Sequence, residues 1–354
     1  MHYLPCKIVG GAASRREAPV SGRACAAAIV AAVGLGVAIE SADANDTVAG
    51  LTTGGLVFRT TKDIEMRAED LSISRKKISV RYRFFNRSAA DQTVTVAFPL
   101  PEVGFQEYQD VDVPNGDADN FLNFRTIADG REISARLEQK AFLGKREVTA
   151  RLQALNVPLQ PRAARTAAAL DALSKDVQRQ LIKEKLARSD DQDSGKGPEH
   201  HLAPEWTVKT TYFWRQTFPA GREVVIEHSY APSVWSTVQT SIGSTLSDAT
   251  QKAEYDKRFC VDSGMTSGVA ALTKKNQGQP PPEYRIAYVL KTGANWAGPI
   301  GDFRLTIDKG EANALVSLCE TNVVKTGPTT FEVRKTNFTP ARDLNILIVA
   351  LPTD

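Results

Sequence analysis

His228 is the residue best placed for acid–base work. It sits in the alternating run Val224, Ile226, His228, Tyr230, on the apolar face, close in sequence to Tyr212 in the run Val208, Thr210, Tyr212, Trp214. An imidazole there could pass a proton near neutral pH. Catalysis, however, needs a base oriented by a third group beside a nucleophile, and a neutral core histidine bonded to a hydroxyl or carbonyl explains the same pattern. Asp70-Leu71-Ser72-Ile73-Ser74 has the carboxylate-and-hydroxyl spacing of a magnesium-holding adhesion loop. It lies inside alternating sequence, so strand serines are the better account. His200 and His201 offer two imidazoles, too few for a closed metal site. No catalytic residue, metal set or cofactor is therefore assigned.

Recognition is a stronger theme than catalysis. Exposed indoles bind sugar rings and peptide side chains, whereas buried ones fill cores. Trp214 shares an inward face and reads as core. Trp235 follows Pro232 in loop-like sequence, and Trp296 lies in the turn-rich Gly293-Ala294-Asn295-Trp296-Ala297-Gly298-Pro299. These two, with His228 and Tyr212, are the candidate ligand-binding residues.

The elements that must position them alternate between two periods. From Leu56 to about Glu138 apolar residues recur every second position: Ile78, Val80, Tyr82 and Phe84 on one face, then Val94, Val96 and Phe98 after the polar turn Asn86-Arg87-Ser88. That spacing predicts a hairpin. A second is expected around Asp129-Gly130, a dipeptide suited to positive φ. Between Ala141 and Ala187 the step becomes three to four, through Leu170, Leu173, Val177, Leu181, Ile182 and Leu186, predicting two helices separated at Pro158 and Pro161. Residues 189–204 have linker composition. Alternation then returns, and the runs 208–218 and 224–230 read as the strongest hairpin, with Tyr212 facing His228 and Trp214 facing Ile226. It repeats the plan of the first hairpin, as an old duplication or any sandwich hairpin would. A helix is expected over 247–260, and strands over 284–290, 303–307, 315–319, 330–333 and 344–349.

The fold class that follows is mainly β: two β-sandwich-like units, 45–140 and 205–354, with a helical insert at 141–188 and a linker at 189–204. Residues 1–44 read as a signal peptide: Arg15, Arg16 and Arg23 precede the apolar run Ala24–Ile39 and then Ala42-Asp43-Ala44. The run is shorter than the roughly 20 residues a spanning helix needs, so no stable membrane span is expected after cleavage. Cys260 and Cys319 are the two cysteines left, and in an oxidising compartment they are most simply a disulfide. A net charge of +3 over 354 residues gives no basic footprint for nucleic acid.

Asn45-Asp46-Thr47, Gly54-Gly55-Leu56, Glu69-Asp70-Leu71, Arg81-Tyr82, Phe98-Pro99-Leu100-Pro101, Phe218-Pro219-Ala220-Gly221 and Phe259-Cys260-Val261-Asp262 carry a resemblance. Across nearly the whole mature chain the sequence resembles an exported bacterial family catalogued as a domain of unknown function (4424 type). That resemblance implies export and a β-rich body, and supplies no catalytic residue. The first unit is also similar to the domain that precedes von Willebrand A modules in inter-alpha-trypsin inhibitor heavy chains. The reading is of a periplasmic or secreted, non-enzymatic binding or scaffold module that contacts an envelope component or an exported protein. The alternative is a hydrolase of an envelope polymer or ester that uses His228 with an acidic neighbour such as Asp262.

Overall fold

Period-two alternation gives each strand one apolar face, and in the computed structural model of the protein those faces meet between sheets. The structure describes residues 47–52, 55–104, 110–193, 197–244 and 249–351. The expected signal peptide, with Cys6 and Cys25, lies outside them. Among the described residues an eight-stranded sheet runs in the order Val324–Lys325, Thr330–Phe338, Ile300–Asp308, Ile64–Ser74, Ile78–Asn86, Glu223–Tyr230, Arg125–Ala128, Arg131–Ile133. All neighbours are antiparallel except Ile300–Asp308 beside Ile64–Ser74. Gly301 sits at that junction, where a Cβ would lie 2.5 Å from the Arg67 carbonyl oxygen, at the bulge between Met66 and Ala68. Only glycine permits this approach.

Two further sheets contribute to the same core. A seven-stranded sheet carries Thr47–Thr52, Gln92–Pro99, Thr207–Phe218 and Arg136–Leu143 among its strands. A five-stranded sheet runs Leu315–Leu318, Leu344–Val349, Glu283–Tyr288, Val234–Thr237, Asp110–Asp112. One cluster unites Tyr82 and Phe84 of the first sheet, Phe98 and Trp214 of the second, and Tyr288, Ile346 and Ile348 of the third. The Tyr82 and Tyr288 hydroxyls share a hydrogen bond of 3.0 Å inside it. The mainly β class therefore holds. The strands of 45–140 and 205–354 do not stay in separate units, however, because they interleave in shared sheets and fall in one compact unit, Ser41–Asp354.

The two expected hairpins are corners. Ile78–Asn86 pairs with Glu223–Tyr230 in one sheet, while Gln92–Pro99 pairs with Thr207–Phe218 in another. Each alike segment thus crosses between sheets, and each is the other's partner. Alternation fixes which face of a strand is apolar, not which sheet the strand joins, so a corner and a hairpin read alike. The corners are tied together by Asn86, which is fully buried. Its Nδ2 donates to the Phe218 and Ala90 carbonyls at 2.8 and 2.9 Å, and its backbone accepts from Gly221 N at 2.9 Å. Asn86→Ala should cost about 2–3 kcal/mol in urea denaturation, since buried carbonyls lose their donors.

The Asp129-Gly130 turn is as expected, with φ of 47° and 77° between paired strands Arg125–Ala128 and Arg131–Ile133. The insert holds three helices rather than two: α1 (Thr149–Gln153), α2 (Ala164–Asp171) and α3 (Lys175–Lys183). Leu152, Leu170, Leu181, Leu186 and Trp206 form a separate small core there. The expected linker is pinned to it: Ala187–Ser189 pairs with Leu202–Pro204, and His201 Nδ1 lies 2.7 Å from Asp171 Oδ2. Beyond the five-stranded sheet lie α4 (Ala249–Phe259) and α5 (Ser263–Lys275), packed on Leu347 and Val349.

Candidate functional site: a cleft walled by α4

A concavity of about 970 Å³ opens between α4, the helix-facing side of the five-stranded sheet and the nearby Glu102, Gly104 and Thr207. Strand register builds its floor. Trp235 lies directly across from Arg285 on the neighbouring strand, so both side chains share one face. Two residues along, Glu283 occupies the same face and is fully buried. Its Oε1 accepts from Arg285 Nε at 2.7 Å, and its Oε2 accepts from Thr240 Oγ1 at 2.7 Å and from the Tyr255 hydroxyl. Burial and the adjacent negative charge of Glu283 push the Tyr255 phenol up, so it stays a donor.

An ion pair buried this deeply recovers its desolvation cost only when its geometry is fully satisfied. Here the result is a guanidinium held still at the cleft floor. The Arg285 Cζ stands 5.3 Å from the Tyr255 ring centroid, within cation–π range. Arg258, exposed along part of its length, turns its head toward Phe259 and donates through Nε to Asn345 Oδ1 at 3.1 Å. Burial, then the charge of Arg285, lower its hold on its proton. The disulfide Cys260–Cys319 fastens the end of α4, with Cα atoms 4.9 Å apart. The cysteine pair read from the sequence is formed.

The other candidate residues fall elsewhere. Trp235 belongs to a strand rather than a loop, and is half-buried against the cleft. Trp296 is 3% exposed, its ring centroid 4.4 Å from that of Phe84 and 6.0 Å from that of Phe218. The turn-rich segment folds inward because an indole of roughly 150–250 Å² gains more in the core than at the surface, which removes Trp296 from a recognition patch. Tyr212 and His228 stand in different sheets and not in one hairpin, yet they meet across the core through Phe124. That ring stacks on Tyr212 at 4.2 Å and on His228 at 5.1 Å. Tyr212 donates to Asn120 Oδ1 at 2.7 Å. His228 is 2% exposed and its Nδ1 bonds Thr126 Oγ1 at 3.1 Å.

Asp262 does not reach His228. It caps α5, accepting from Met265 N at 2.7 Å, on the far side of the five-stranded sheet. The pairing of His228 with Asp262 is therefore not formed. Asp70, at the head of the adhesion-like motif, is engaged by Arg304 across the strand pair, with Nε at 2.9 Å. Sequence reasoning missed Glu283, Tyr255, Arg258 and Arg285. The faint signal was Glu283 and Arg285 two apart on a strand otherwise rich in apolar residues, a spacing that places both charges on one buried face.

A mainly β sandwich with one helix-walled, arginine-floored cleft defines the molecule as a β-rich module with a concave polar site. The chain belongs to the family described as domain of unknown function DUF4424, whose model matches residues 44–347. No curated protein matches it. Among solved structures it is similar to a Legionella pneumophila protein described as a "putative nutrient binding protein", at 14% identity and a TM-score of 0.39, over 87% of this chain and 70% of that one. An M1 zinc metallopeptidase from Deinococcus radiodurans follows at 9% identity and 0.23, over 82% of this chain and 43% of that one. Neither superposition is close enough to carry an activity across.

Proposed function

We propose that the protein is an exported, non-enzymatic binding module of the cell envelope, and that the cleft beneath α4 takes its ligand. The observation that supports this best is the floor itself, where the fully buried Glu283 holds Arg285 beside Trp235. Such a network adds nothing to packing that apolar residues would not supply, but it presents a fixed cation and an indole to an open pocket within the roughly 300–1,000 Å³ size class of small-molecule sites. Export is supported by the basic and apolar order of residues 15–44 and by the disulfide, which persists in oxidising compartments. Among the described residues no helix is long and apolar enough to cross a membrane.

The cleft reading has a spectroscopic test. Trp206, Trp214 and Trp296 are at most 4% exposed, so iodide quenching of native fluorescence should report on Trp235. The quenchable component should vanish in Trp235→Phe, and a ligand in the cleft should protect it in the wild type. Quenching that persists in Trp235→Phe would refute the placement of this indole at an open site. For export, mass spectrometry of the protein recovered from the periplasm or medium should find an N-terminus at Asn45. An intact Met1 on a cytosolic protein would refute it.

A further inference from the structure

The helical insert carries a charge that the rest of the chain does not. Residues 141–188 hold ten lysines and arginines against four carboxylates, whereas the whole protein has a net charge of only +3. The excess gathers along α3, where Lys175, Arg179 and Lys183 stand four residues apart on one exposed face. Lys185 follows just past the helix end. The turn that carries Lys145 is brought beside it, because Arg146 Nη2 donates to the Glu184 carbonyl at 3.2 Å. The nearby carboxylates are already taken: Glu184 is held by Arg151 in two contacts of 3.2 Å, Asp176 pairs with Arg179, and Glu147 lies 4.0 Å from Lys140. In the segment that follows, Asp190 and Glu205 pair with Arg188, and Asp191 with His200. Lys145, Lys175, Lys183 and Lys185 have no ion pair among the described residues.

One apolar side chain interrupts this polar face. Ile182, three residues on from Arg179, is 38% exposed, one of four large apolar side chains left exposed among the described residues. Val177 and Leu181, on the inward face of α3, supply the packing to the insert's own core. Cations around a protruding aliphatic chain suit a surface that is anionic outside and hydrocarbon beneath, where lysine stems lie along the acyl boundary while their heads meet phosphate. A soluble polyanion would use the lysines and leave Ile182 in water. We propose that the outer face of α3, with the adjoining turn at residues 144–146, docks on a bilayer containing anionic phospholipid. This contact is separate from the cleft and stands whatever the cleft takes.

The test uses the protein from Asn45 onward, so that the apolar run Ala24–Ile39 contributes nothing. It is sedimented with vesicles of equal parts phosphatidylglycerol and phosphatidylcholine, and with vesicles of phosphatidylcholine alone. The mixed vesicles should carry the protein down and the neutral ones should not. Salt at about 1 M, where charges are screened beyond about 3 Å, should release it. Lys175→Gln with Lys183→Gln should weaken partitioning about 25-fold, at about 5-fold for each lysine near an anionic surface, and Ile182→Ser alone about 5-fold. All three positions are exposed, so Tm should stay within a few degrees of wild type. Equal partitioning to the two kinds of vesicle, or to neither, overturns the proposal. So does a lysine double variant that binds mixed vesicles as wild type does. If Ile182→Ser keeps its hold on vesicles and heparin binds it as tightly as wild type, the face serves a soluble polyanion and the lipid inference falls.

Discussion

Glu283→Ala is expected to lower the unfolding free energy by about 3–5 kcal/mol, the cost of leaving a buried cation without its partner. Glu283 has no solvent-exposed surface, and its two oxygens accept from Arg285, Thr240 and Tyr255. Removing it orphans three donors at once and frees the guanidinium that floors the cleft. Urea denaturation followed by tryptophan fluorescence measures the loss. The double replacement Glu283→Leu with Arg285→Met should recover most of it, because a well-packed apolar pair escapes the desolvation penalty that an ion pair must overcome. If Glu283→Ala is as stable as wild type, the carboxylate does not organise this site.

The second large effect is expected on opening the disulfide. Cys260 and Cys319 are separated by 59 residues, a loop whose closure is worth about 4 kcal/mol in the chain-entropy model. The loop contains α5 and the strand carrying Glu283 and Arg285, and the bond fastens the last turn of α4 to the edge of the five-stranded sheet. Cys260 itself has φ of 53°, the left-handed conformation that usually ends a helix with glycine. Cys260→Ser with Cys319→Ser should lower Tm by roughly 6 °C, since the unfolding entropy that sets the conversion grows with chain length at about 2.1 cal/mol/K per residue. Scanning calorimetry of the oxidised protein and the double variant decides it, and equal midpoints would show that the bond does not restrain folding. Because the wall of the cleft is the element released, iodide access to Trp235 should rise in the same variant.

Much of the fold was legible in residue spacing. The strands over Glu283–Tyr288, Ile300–Asp308, Leu315–Leu318, Thr330–Phe338 and Leu344–Val349, the helix at Ala249–Phe259 and the Asp129-Gly130 turn lie where alternation, helical period and turn chemistry put them. The helix Ser263–Lys275 was missed although Met265, Val269 and Leu272 line one face and Asp262 caps it, because its small residues give a weak period. Asn86 illustrates the opposite failure. As part of Asn86-Arg87-Ser88 it reads as a surface turn, and only the meeting of two corners makes it a buried clamp.

The candidate site was less legible, for a related reason. Trp235 was identified from type and local composition, and so was Trp296, yet one indole faces the cleft and the other fills the gap between Phe84 and Phe218. Nothing within a few residues of either distinguishes them. His228 and Tyr212 were placed side by side, and they do approach, but through Phe124 and from opposite sheets.

By itself the sequence determined that this chain forms two-faced strands, which positions turn inward, where helices replace strands, and that two cysteines stand available for pairing. Those properties depend on backbone period and side-chain type, which are local. Which sheet each strand joins, which tryptophan reaches solvent, and that Arg258 meets Arg285 over one ring were decided only by the tertiary structure. Pairing partners such as residues 78–86 and 223–230 lie far apart along the chain, and period-two patterning is the same whichever partner a strand takes.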